Sequence, residues 1–269
     1  MNTLNTQFQL FKPSRSDLEL QMLSFLAQES WASDVNLCVL LQISRRTLLG
    51  VLRPMVVAKT IKSVLQKIMG GTVQLFGITS LGHKQLFRTQ TTPSEFAQLV
   101  PKPNPLTARI SPTFIPHRLD IQLLRIRAER AGWTNWVNAD TGQKLNLEAS
   151  VLSSNSRLNL RSNTNAQIQS EHRPDAWCTN PLGKRVCIEC ERTIKSKPRY
   201  ATILCDYLLA LKRGDFDGVI WVCPDLDLRD RLDNLITSIT HVQISGLSVL
   251  IPRNRFEQFE FKTFEQWVT

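Results

Sequence analysis

The chain has 269 residues, 42% of them hydrophobic, which is enough for one large domain or two ordinary ones, each with its own core. Lys and Arg number 33 against 23 Asp and Glu, a net charge of +10, and the excess is uneven: residues 1–118 carry a net +8 and residues 119–269 a net +2. That asymmetry predicts a polyanion-binding module in the N-terminal part. No apolar run approaches the roughly 20 residues of a membrane span, and the first residues lack the apolar core of a signal peptide, so a cytoplasmic chain without a membrane span is expected.

Residues 16–30 carry Leu18, Met22, Phe25 and Leu26 at helical spacing, with Ser16 and Glu19 as a capping box. A short helix over 33–41 follows, capped by Ser33 or Asp34. Ser44 is a good N-cap for a third helix, with Arg45, Arg46 and Thr47 in its first turn and Pro54 expected to end or bend it. Two β-prone runs around Met69-Gly70-Gly71 read as a hairpin, and residues 79–87 as a closing helix. Three helices and a hairpin is the order of a winged helix-turn-helix, in which the third helix enters the DNA major groove. Arg45, Arg46, Thr47, Lys59, Lys62 and Lys67 are its candidate DNA contacts.

Six of the 13 prolines fall within residues 89–116, which reads as a stiff linker. The expected boundaries are a DNA-binding domain over 1–90, a linker over 91–116 and a second domain over 117–269. In the latter, a helix over 118–131 precedes a strand near Trp136. A Ser- and Asn-rich segment over 150–170 follows, with Arg157 and Arg161 placed to guide DNA. Residues 174–178 and 185–191 read as strands joined by a turn at Asn180–Gly183. A helix over 198–212 presents Tyr200, Ile203, Leu204, Tyr207, Leu208 and Leu211 on one face. A buried strand, a helix over 225–239 and strands near Val242 and Val249 complete an α/β domain with a mixed central sheet.

The chemistry concentrates between His172 and Lys197. Glu189 and Glu191, two apart on a strand, share a face, and Asp175 on the preceding strand can reach it. Hard oxygen ligands of this kind suit Mg²⁺ or Mn²⁺, which would polarise a phosphate and activate water. Lys195 or Lys197 would stabilise the charge that builds up in the transition state. The cysteines read as buried thiols of a reducing compartment. Cys187 and Cys190 are spaced like half a zinc site, but no second pair completes it.

Pro174-Asp175 followed by Glu189-Cys190-Glu191 resembles the PD-(D/E)xK signature of restriction-endonuclease-like nucleases, with Glu191 where that family usually has lysine. A wider resemblance takes in Phe76-Gly77-Ile78-Thr79, His117, Arg173-Pro174-Asp175-Ala176 and Ile188-Glu189-Cys190-Glu191-Arg192. On these the chain is similar to the replication-relaxation proteins, which include the MOBC-type relaxases of mobilisable plasmids. The resemblance implies a relaxase of plasmid mobilisation and conjugation. It would be a metal-dependent, site- and strand-specific endonuclease nicking at an origin of transfer, with duplex DNA, single-stranded DNA and other relaxosome proteins as partners. It adds His117 as a catalytic or DNA-contacting residue and Glu129 as a further acidic ligand.

Tyr200 and Tyr207, the two tyrosines, lie on an apolar helix face, and the four histidines form no HxH cluster. Hydrolysis by metal-activated water, leaving a 3′ hydroxyl and a 5′ phosphate, is therefore expected rather than a covalent tyrosyl intermediate. Two other readings stand beside this one. The chain could be a DNA-binding replication or transcription regulator with an inactive nuclease-like domain, or a double-strand-cutting nuclease or transposase subunit.

Overall fold

The computed structural model describes residues 13–89, 111–139 and 172–268. The protein is mixed α/β and divides into two compact units, residues 1–126 and 127–269. No single helix among the described residues is long and apolar enough to cross a membrane.

The N-terminal unit runs α1 (Arg15–Glu29), β1 (Trp31–Ser33), α2 (Asp34–Leu41), α3 (Arg45–Val57), β2 (Ile61–Ile68), β3 (Gly71–Ile78) and α4 (Ser80–Thr89). The capping box at α1 is Ser14 with Asp17, two residues earlier than Ser16 and Glu19: Ser14 has the extended backbone an N-cap needs, and Glu19 pairs with Arg15 instead. Ser33 caps α2 and Ser44 caps α3 through their hydroxyls. The helix axes of α2 and α3 are bent by 107° at the short break between them.

Pro54 does not end α3. It sits inside the helix, which continues to Val57, and its carbonyl accepts from the Ala58 N–H. The hairpin forms as expected, with Lys67 opposite Thr72. Three-residue β1, too short to register as an alternating pattern, pairs antiparallel with β3 and gives a sheet of order β1-β3-β2. Met22, Leu26, Leu37, Leu48 and Leu52 fill the core beneath it.

The proline-rich stretch is not all linker. Helix α5 (Phe114–Arg130) begins within it, and Pro116 is tolerated in the first turn, where its missing N–H has no helical partner. Most of α5 belongs to the N-terminal unit, so the division falls inside this helix rather than over 91–116. Glu29 there has a side chain with no solvent exposure, and it receives ion pairs from Arg118 (3.2 Å) and Arg125 (2.6 Å). Gln122 donates to the Trp31 carbonyl at 2.7 Å, and Asn36 to the Leu119 carbonyl at 2.9 Å.

The C-terminal unit contains β4 (Thr134–Asn138), β5 (Ala176–Thr179), β6 (Arg185–Cys190), α6 (Lys197–Arg213), β7 (Gly218–Cys223), α7 (Leu226–Thr237), β8 (His241–Ile244), β9 (Leu247–Leu250), a 3-10 turn (Arg253–Gln258) and β10 (Phe259–Thr263). Its five-stranded sheet has the order β10-β7-β6-β5-β4. β4, β5 and β6 pair antiparallel, while β6, β7 and β10 pair parallel. The strands expected near Val242 and Val249 do not join this sheet; they form a separate hairpin. β10 supplies the sheet edge instead. Its alternation of Phe259 and Phe261 with Glu260 and Lys262 is a half-buried strand pattern.

Candidate functional site

Strand register sets the site. Ala176 pairs with Ile188 and Trp177 with Cys187, so Asp175, one residue before β5, faces Glu189 on β6. Directly opposed residues of an antiparallel pair point to the same face with Cβ atoms about 5 Å apart. Glu189 in turn pairs with Trp221 on β7, and Trp221 with Phe261 on β10. One row therefore crosses the sheet from two carboxylates to two stacked aromatic rings, the latter 5.4 Å apart and nearly parallel.

Helix α6 covers that row. Tyr207 stands edge-on to Trp221 and donates its hydroxyl to Glu189 Oε1. His172 Nε2 lies 2.6 Å from the same oxygen. Glu189 Oε2 takes no hydrogen bond among the described residues. The buried Glu191 lies beyond the end of β6, where its N–H continues the pairing to the Val222 carbonyl. Its Oε2 accepts the Tyr200 hydroxyl at 2.9 Å and the Lys195 ammonium. Two glutamates two apart on a strand thus meet two tyrosines seven apart on a helix, each set lying on one face.

The electrostatics follow from burial and from like charge. Burial pushes the Glu189 carboxyl up, the His172 hydrogen bond opposes that rise, and the neighbouring Asp175 charge adds to it. Burial also pushes the Tyr207 hydroxyl well above its ordinary value, with the Glu189 charge contributing. Asp175 accepts the Cys190 N–H at 2.9 Å, which fixes its carboxylate against β6.

The structure thus pairs Asp175 with Glu189 and, two residues further along the chain, Glu191 with Lys195. Lys197 points elsewhere and donates to the Ser238 carbonyl at 3.1 Å. Glu129 is exposed in the last turn of α5, and His117 lies on the part of that helix in the N-terminal unit. Arg157 and Arg161 lie outside the described residues. Of the candidate DNA contacts, Arg46 and Thr47 are exposed in the first turn of α3, where Arg45 pairs with Asp34 at 2.8 Å. Lys59 is exposed just after α3, Lys62 is half-buried, and Lys67 is exposed near the hairpin turn. Nothing in the sequence marks His172, and the helical spacing of the two tyrosines reads as core packing. The seven-residue spacing of the tyrosines against Glu-x-Glu was the available signal.

Among the described residues no group of three or more His, Cys, Asp or Glu side chains gathers as a metal cluster. The oxygen chemistry of Asp175 and Glu189 nonetheless suits a hard cation, since Mg²⁺ is commonly bound by one or two carboxylates, with water and substrate phosphate completing the shell. Cys187 and Cys190 are both buried and lie on opposite faces of the β6 line, which does not suit zinc. Comparisons of the chain with protein-family profiles, curated proteins and solved structures return no match.

Proposed function

We propose that the protein is a metal-dependent, site- and strand-specific DNA endonuclease of the relaxase type, with a winged helix joined to a restriction-endonuclease-like domain. The observation that carries the reading is the pairing of Asp175 with Glu189 across β5 and β6, with Lys195 held at Glu191 two residues further along the chain. An antiparallel hairpin followed by a helix and a parallel strand is the core such nucleases need. In the N-terminal unit, the 107° bend between α2 and α3 and the basic hairpin β2–β3 are what a helix-turn-helix with a wing requires.

In this reading Asp175 and Glu189 would hold Mg²⁺ or Mn²⁺, which would supply Lewis acidity for water activation. His172 and Tyr207 fix the Glu189 carboxylate through Oε1. Lys195 stands in for the lysine that the PD-(D/E)xK pattern places at position 191, and it offsets charge developing on the phosphate. Glu191 and Tyr200 hold that lysine. Arg46, Thr47, Lys62 and Lys67 contact duplex DNA near the nick.

The test uses supercoiled DNA carrying the sequence that the protein selects from a random pool, with Mg²⁺ or Mn²⁺ added. Open circles that disappear with both Asp175→Ala and Glu189→Ala support the nickase. Linear product would favour a double-strand nuclease, and a stable phosphotyrosyl adduct would exclude water as the nucleophile. A second reading, a DNA-binding regulator with an inactive nuclease-like domain, draws on the engagement of Glu191 by Tyr200 and Lys195. Sequence-specific binding with no cleavage under either metal supports it.

A further inference from the structure

Beside the carboxylates lies a cleft of about 410 Å³, walled by His172 and Arg173 on one side and the first turns of α6 on the other. That volume falls within the range of small-molecule sites. Three kinds of surface meet in it. Arg173 and Arg199, both exposed, bring positive charge. Arg199 makes no ion pair or hydrogen bond among the described residues. Pro198 and Ile203 bring an apolar surface. Asp206 brings a carboxylate, whose Oδ2 accepts the His172 N–H at 2.8 Å. The His172 ring links the cleft to Glu189 at 2.6 Å.

A site for a bare anion gains nothing from a carboxylate in its wall, and an apolar pocket gains nothing from two guanidiniums. A nucleotide presents a phosphate for the arginines, a flat base for the apolar surface and an exocyclic amino group for the carboxylate. Unstacked bases of single strands are held in this way, against apolar or guanidinium planes with their edges hydrogen-bonded. An aspartate accepts from the amino group of cytosine, whereas thymine offers a carbonyl oxygen at the corresponding position.

We propose that this cleft is a nucleotide pocket that takes one unstacked, amino-bearing base of a single strand and discriminates against thymine. The proposal deepens the nuclease reading, on which it rests for placing that nucleotide in the strand being cut.

Direct binding tests it without any cleavage. The full chain is titrated with dCMP, dTMP and inorganic phosphate, and binding of each is followed by isothermal titration calorimetry. We expect dCMP to bind at least fivefold more tightly than dTMP, with phosphate weakest. Arg199→Ala should weaken both nucleotides fivefold or more. Asp206→Asn retains an acceptor for the His172 N–H but presents an amide N–H₂ to the base, so it should erase or reverse the preference for dCMP. Equal affinity for dCMP, dTMP and phosphate would overturn the proposal, as would no binding or indifference to Arg199→Ala. A protein that nicks DNA but shows no such preference loses the pocket and keeps the nuclease. One that binds dCMP as described and never cuts loses the nuclease and keeps the pocket.

Discussion

Lys195 pairs with Glu191, four residues behind it, and Tyr200 donates to the same carboxylate oxygen at 2.9 Å. The glutamate that breaks the usual lysine pattern is therefore the anchor of a lysine supplied from the following loop. Removing one preorganised group that stabilises transition-state charge commonly costs about 10²–10³ in rate. Under the proposed nickase reading, Lys195→Ala should lower nicking by roughly that factor with little change in DNA affinity. Tyr200→Phe removes one of the two partners of Glu191 and should cost less. Its measure is the same open-circle assay together with equilibrium DNA binding, and a Lys195→Ala protein that nicks at the wild-type rate would remove this lysine from the mechanism.

Asp175 and Glu189 face each other as like charges, so a divalent cation should stabilise the folded protein. A cation at about 100 times its dissociation constant raises stability by about 2.7 kcal/mol. Millimolar Mn²⁺ should raise the melting temperature of the wild type and leave Asp175→Asn unmoved. Differential scanning fluorimetry reads both, and an unchanged wild-type melt over the Mn²⁺ range would count against a carboxylate metal site.

The pairing of Asp175 with Glu189 was legible in sequence because strand alternation and a short turn fix register. The helix over Lys197–Arg213 was legible because Tyr200, Ile203, Leu204, Tyr207 and Leu211 recur at its period. What escaped has physical reasons. Trp31–Ser33 is too short to show a period. Phe259–Thr263 follows a hairpin that has the stronger strand composition. The polar role of the two tyrosines was hidden because each is mostly an apolar ring, and only the tertiary fold shows where the hydroxyl goes. Pro116 masked the start of α5 because proline composition marks linkers and first helical turns alike.

Buried thiols couple stability to alkaline pH. Burial pushes both Cys178 and Cys223 up to about 12, with the Glu191 charge adding to the rise at Cys223. An unfolded thiol titrates near 8.5. Between those values the unfolded chain has lost protons that the folded chain keeps, so stability is full below the unfolded value and falls as pH rises above it. Each thiol should contribute a loss of about 1.4 kcal/mol per pH unit once well above pH 8.5. Urea melts between pH 8 and 10.5 should show that slope, and a Cys178→Ala/Cys223→Ala protein should show a shallower one.

Glu29 is the most deeply buried carboxylate among the described residues of the N-terminal unit, and Arg118 and Arg125, which pair with it, come from α5, far along the chain. Breaking a buried ion pair by removing one partner typically costs about 3–5 kcal/mol. Arg125→Ala leaves Arg118 in place and should fall at or below the lower end. Glu29→Ala takes the shared carboxylate from both guanidiniums and should cost more. Chemical denaturation gives the order, and equal effects would mean that the two arginines do not share the load at Glu29.

Two helical glycines should respond in opposite directions to the same substitution. A Cβ on Gly50, in α3, meets nothing within 4 Å. Alanine there should gain the helix-propensity difference of about 1 kcal/mol. A Cβ on Gly82, in α4, would lie 2.1 Å from the Thr60 carbonyl oxygen and 2.8 Å from Ile78 Cγ1. The Thr60 carbonyl also accepts the Thr79 hydroxyl and N–H, so it is held in place and cannot retreat without losing those bonds. Gly82→Ala should therefore cost about 1–3 kcal/mol as overpacking and loosen α4 from the sheet. Melting curves of the two variants against wild type decide it, and a Gly82→Ala protein as stable as wild type would mean that α4 is not seated against Thr60 in solution.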